Sequence, residues 1–182
     1  GRRLHDDSRW ALPQAMAYWL EGRNAEALTF LLEPSVVRAL DGLWIYHNLV
    51  GMVARKLEGE QERAARAFER SLQLDPDRAD TLYNFANLLK DDEPERAAEL
   101  YKRSLTLEPN ATSAWHNFGT ALNSLTEYRA ALDVLRTSLC LDPQVADVWC
   151  NLGLAYFGLE DFSSAERSFR YAISLDARHA PS

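Results

Sequence analysis

The chain from Trp115 to Pro143 is written a second time, 34 residues on, from Trp149 to Ala177. Trp115-His116-Asn117-Phe118-Gly119 corresponds to Trp149-Cys150-Asn151-Leu152-Gly153. Two further copies precede them. Asn followed by Leu or Phe recurs at Asn48, Asn84, Asn117 and Asn151, with gaps of 36, 33 and 34 residues. An Ala follows each at Ala64, Ala97, Ala131 and Ala165, and a large residue four later at Phe68, Tyr101, Leu135 and Phe169. Asp75-Pro76, Glu108-Pro109 and Asp142-Pro143 close three units, and Ala177 stands where the fourth Pro would be. A fixed period of this length specifies a stack of like units, each burying its apolar face on the next. It argues against a globule built around an enclosed catalytic pocket.

Each unit reads as two helices. Trp115, Phe118, Gly119 and Leu122 fall at i, i+3, i+4 and i+7, one face of a helix. A polar break such as Leu125-Thr126-Glu127-Tyr128 follows, and Ala131, Leu135, Ser138 and Leu139 then share a second face. Small residues on one helix meet large ones on the other, so the pair can interlock antiparallel. The closing Pro stops the unit, because the residue before it is pushed out of helical geometry.

Trp149-x2-Leu152-Gly153-x2-Tyr156, followed by Ala165-x3-Phe169, resembles the tetratricopeptide repeat signature, departing from it only at the closing Pro. The resemblance covers residues 43–177. It implies an all-α, right-handed α-solenoid of antiparallel helix pairs. Residues 17–28 look like the middle of a further, degenerate unit with Ala27 as its Ala anchor. Its second helix is expected to stop at Glu33 or kink, because Pro34 follows, with Val36–Leu40 as a short separate turn. The expected organisation is one domain over 1–182, with repeats near 8–42, 43–78, 79–111, 112–145 and 146–179. Terminal repeats of such stacks are often atypical. The last unit lacks the polar capping helix that such families add. A piece of a longer protein is therefore expected, and the alternative is a homo-oligomer formed through the uncapped C-terminal repeat.

Composition adds limits. The chain is 47% hydrophobic and 26% charged, as in ordinary globular proteins. It has no run of about 20 apolar residues, so no membrane span is expected. A net charge of −7 argues against nucleic acid or anionic lipid as the main partner. Cys140 and Cys150 read as reduced thiols, which fits a cytoplasmic setting.

The pattern contains no catalytic constellation. His5, His47, His116 and His179 are scattered, and neither paired metal-ligand spacings nor a Gly-rich phosphate loop occurs. The expectation is no enzyme, no metal and no cofactor. Function is expected on the concave surface that first helices line in this family. The resemblance places Asn48, Arg55, Tyr83, Asn84, Asn87, Lys90, His116, Asn117, Asn123 and Asn151 there. The column Asn48, Asn84, Asn117, Asn151 is similar to the asparagine ladder in the repeat domain of O-linked N-acetylglucosamine transferases. Each amide carries both donors and an acceptor and can grip a peptide backbone. The other reading is that these Asn residues bond within the stack. A carboxylate clamp is not expected. Asn87 and Asn117 match its two Asn positions, but Tyr83, Asp147 and Asn151 replace its cations. Cys150, Leu154 and Phe157, at i, i+4 and i+7, form an apolar patch suited to a partner's helix or peptide anchor. The second helices carry mixed charges, such as Glu95, Arg96, Glu99, Lys102 and Arg103, which read as solvated faces. The chain is thus expected to be a scaffold that binds a segment of a protein partner. The alternatives are the substrate-recruiting arm of a larger enzyme, such as a glycosyltransferase, and a chaperone-type client module.

Overall fold

A computed structural model describes residues 8–179. His5, the chain's start and residues 180–182 lie outside them. The described residues form eleven α-helices, and no strand occurs among them. The chain divides into two compact units, residues 1–88 and 89–182. The first holds α1 (Ser8–Leu20), α2 (Asn24–Leu31), α3 (Pro34–Leu40), α4 (Trp44–Ala54), α5 (Gln61–Leu74) and all but the last residue of α6 (Ala79–Leu89). The second holds α7 (Pro94–Leu107), α8 (Thr112–Ser124), α9 (Tyr128–Leu141), α10 (Ala146–Gly158) and α11 (Phe162–His179).

The prolines set the helix ends. α2 stops at Leu31, and Glu33 is held extended at φ −59°, ψ 133° by the ring that follows it. Pro34 then opens α3 as its first residue, a position where a missing N–H costs nothing. The interruption expected at Pro34 is thus a clean break into a separate seven-residue helix. Asp75 and Asp142, each before a proline, end α5 and α9 in extended conformation. In four of the turns between paired helices the chain passes through a left-handed residue five positions before the Ala anchor, the turn before Ala97 being the exception. Gly22 and Gly59 hold it at φ 76° and 78°, and Thr126 and Glu160 hold it at 60° and 62°.

Packing inside three of the pairs repeats one contact. Gly51 of α4 lies against the Phe68 ring of α5, Gly119 of α8 against Leu135 of α9, and Gly153 of α10 against the Phe169 ring of α11. Phe68 and Leu135 are fully buried. A second contact recurs near the helix ends. The buried hydroxyl of Ser71 donates to the Trp44 carbonyl at 2.9 Å, and that of Ser138 to the Thr112 carbonyl at 3.3 Å. In the second unit Leu122, Ala131, Leu132, Leu135, Val148, Leu152 and Ala155 join these pairs into one core.

A Cβ on Gly119 would stand 2.4 Å from Leu135 Cδ2 and 2.5 Å from its Cγ. Overpacking costs about 1–3 kcal/mol, against roughly 1 kcal/mol that alanine gains over glycine in a helix. Gly119→Ala is expected to lower stability by about 1 kcal/mol in urea unfolding. In a Leu135→Ala background the same change is expected to be neutral or stabilising, because the clashing side chain is gone.

Candidate functional site

In the second unit the first helices α8 and α10 are anchored by the same bond. The Trp115 indole Nε1–H donates to the Pro109 carbonyl at 2.8 Å, and that of Trp149 to the Pro143 carbonyl at 2.9 Å. With the tryptophan side fixed to the preceding turn, another face of each helix carries the polar residues. There the Asn151 Nδ2 donates to His116 Nε2 at 2.9 Å and to the Asp147 carbonyl at 3.1 Å. The Asn123 Nδ2 donates to the Asn151 carbonyl at 2.9 Å. His116, Asn123 and Asn151 thus form one cluster, with its side chains only half-buried. Asn123 Oδ1 is buried without a hydrogen-bond partner. A buried carbonyl oxygen left in this state costs about 1–3 kcal/mol.

The remaining expected residues separate by environment. Asn117 is half-buried on α8, and Lys90 lies exposed just after α6. In the first unit Tyr83, Asn84 and Asn87 are half-buried on α6. Asn48 differs from the other three members of its column. It is only 6% exposed, in a helix buried from Tyr46 to Gly51, and its Oδ1 has no partner. Arg55 is half-buried, with its Nε lacking a partner. His47 is buried, with Nε2 2.8 Å from the Asp41 carbonyl. The apolar residues on α10 are open: Cys150 is an exposed free thiol, as is Cys140, while Leu154 and Phe157 are 47% and 58% exposed. Phe157 meets Phe162 edge to face at 5.5 Å.

The link between His116 and Asn151 was not anticipated from the sequence, although its signal is present. The two residues are 35 apart, one repeat plus one position, which places them on facing first helices. Because Asn151 Nδ2 can only donate, His116 Nε2 accepts, and the imidazole is neutral with its proton on Nδ1. Its pKa is held below the usual histidine value. Burial is the largest cause, Lys90 pushes the same way, and Asp147 opposes them. Among the described residues no group of three His, Cys, Asp or Glu could hold a metal ion. No helix of the described residues is long and apolar enough to cross a membrane.

The tetratricopeptide repeat family model matches residues 146–179, which are α10 and α11. No curated protein matches the chain. Among solved structures, MamA 41-end from Desulfovibrio magneticus RS-1 is similar with a TM-score of 0.87 at 19% identity, over 97% of this chain and 98% of that one. Another MamA crystal structure has a TM-score of 0.83 at 17% identity, over 95% and 93%. YrrB, described as a tetratricopeptide repeat protein with an unusual peptide-binding site, has a TM-score of 0.78 at 23% identity, over 91% and 84%. This all-helical repeat fold is therefore shared over nearly the whole chain, at identities that carry the architecture and no specific ligand.

The His116 pKa shift has a sign that can be measured. The unfolded chain takes up a proton near pH 6.5, before the folded one does. Stability is therefore expected to fall as pH drops from above that value to the folded pKa, and this contribution is flat below it. Histidine NMR titration is expected to place His116 below its ordinary value. Asp147→Asn should lower it further, and Lys90→Ala should raise it.

Proposed function

We propose that this chain is a protein-interaction module that binds an extended segment of a partner protein on the face shared by α8 and α10. The observation that carries this reading is the pairing of two chemistries there. Half-buried amides at Asn117, Asn123 and Asn151 stand beside open apolar side chains at Leu154 and Phe157. Leu154 follows Asn151 by three residues and Phe157 follows Leu154 by three, so an apolar stripe runs from the amide of Asn151 round toward α11, where it can hold an apolar side chain of the segment. The repeat fold, shared with a protein described as having a peptide-binding site, supports the same reading. The grouped side chains are amides, a neutral imidazole and apolar residues. They suit binding rather than bond making.

The amides would grip the segment's backbone, and the apolar patch would choose its side chains. The test is calorimetry with a partner segment mapped from a protein bound by the full chain. Asn123→Ala and Asn151→Ala are each expected to weaken binding about tenfold, as is the pair Leu154→Ser and Phe157→Ser. N-methylation of the segment's central amides should abolish binding, whereas Glu62→Gln on the exposed side of α5 should leave it unchanged. Unaltered affinity in both the Asn and the apolar variants would show that this face is the wrong surface.

A further inference from the structure

The second helices of the second unit hide an apolar cleft behind their charges. α7, α8 and α9 enclose about 570 Å³, floored by Trp115, Phe118 and Leu122 of α8. Three carboxylates, Glu95, Glu99 and Glu127, stand around it with one cation, Lys102. None of these carboxylates takes part in an ion pair among the described residues. Glu95 and Glu99 are also one helical turn apart on α7, a spacing at which like charges repel.

The next repeat shows one way of filling this place. Trp149 is the counterpart of Trp115, 34 residues on, and Tyr171 is the counterpart of Thr137. The Tyr171 ring packs on Trp149 tilted at 59°, with centroids 4.5 Å apart, and the crevice there is only about 290 Å³. Thr137 is too short to do the same, and its hydroxyl turns back to the Asp133 carbonyl at 3.0 Å. No aromatic ring or cation stacks on Trp115 among the described residues. Elsewhere the chain covers an indole in another way: the Arg78 guanidinium lies 3.6 Å over the Trp44 ring.

We infer that the Trp115 cleft is a second binding site, distinct from the α8–α10 face, for an arginine side chain within a basic segment of a partner protein. A planar guanidinium stacks on an indole and pairs with carboxylates at the same time. The cleft supplies both, a half-buried indole on which no ring or cation of the described residues lies and three carboxylates at its edge that form no ion pair among them. Phe118 and Leu122 then receive an apolar residue beside the arginine. Lys102 opposes the ligand's charge, so its removal strengthens binding.

The test uses the full chain, labelled with nitrogen-15, titrated with acetyl-Ala-Arg-Leu-Arg-Ala-amide and with the matching lysine and glutamate peptides. The Trp115 indole N–H signal is expected to shift saturably with the arginine peptide, several-fold more weakly with lysine, and not with glutamate. Thr137→Tyr supplies the neighbouring repeat's cap from a half-buried position on α9 and should weaken binding at least tenfold. Glu95→Gln with Glu99→Gln should weaken it about tenfold at low salt and less at high salt. Lys102→Ala should strengthen it. Asn123→Ala should leave it unchanged, which separates this site from the α8–α10 face. An unmoved Trp115 signal overturns the inference. So does equal binding of arginine and lysine peptides that Thr137→Tyr does not alter, because that is diffuse attraction to an acidic surface. Concentration-dependent shifts of the Trp115 signal without peptide, removed by Thr137→Tyr, would make the occupant a second copy of the chain and also overturn it.

Discussion

The contact between a glycine on a first helix and a large side chain on its partner holds the rest of this structure in place. Gly51 with Phe68, Gly119 with Leu135 and Gly153 with Phe169 bring backbone and side chain within a distance that no Cβ allows. This contact fixes both the separation of the two helices and their rotation. A helix so fixed cannot turn to hide its polar side. The interior is close-packed, so a change at one such contact is felt by its neighbours. The buried Ser71 and Ser138 hydroxyls lock the other end of the pair, each bonding a carbonyl of the first helix. The two proposed binding faces of α8 both depend on that fixed rotation. The Trp115 side looks toward α7 and α9, and the His116 and Asn123 side looks toward α10.

Much of the architecture was legible in the sequence, because it is imposed by local steric rules. The prolines at 34, 76, 94 and 143 mark breaks or starts wherever a backbone N–H or helical geometry is lost. The glycine and large-residue anchors mark the closest approach. Their spacing is rigid, since a helix turns by a constant angle per residue. The turns tolerate more change. Their left-handed residue is Gly22 or Gly59 in the first unit and Thr126 or Glu160 in the second, at the same distance from the Ala anchor. The register counts positions, and there the residue type is secondary.

The candidate site was less legible. Four asparagines at one repeat position look equivalent as letters, and the structure gives them different surroundings. Asn48 is buried in a helix covered along most of its length, whereas Asn151 spends its amide on His116 and a backbone carbonyl. Bonding within the stack, the plainer of the two readings of this column, thus describes Asn151 at least in part. The charge-rich second helices read as solvated faces, and the side chains of Glu95 and Glu99 are indeed exposed. What lies between the helices, an indole on which no ring of the described residues packs, goes with Thr137 and Leu122 where the next repeat has Tyr171 and Tyr156.

The sequence by itself determined the period, the helix pairs, their breaks and the residues that meet where the helices cross. Those features depend on backbone geometry and side-chain size, which a residue carries with it wherever it stands. Only the tertiary structure decided which of the repeated positions are open, which polar atoms are satisfied from within and which aromatic face is left uncovered. Burial and hydrogen bonding are properties of neighbours brought together from different helices. Two identical residues at the same repeat position can therefore differ in what they offer a partner.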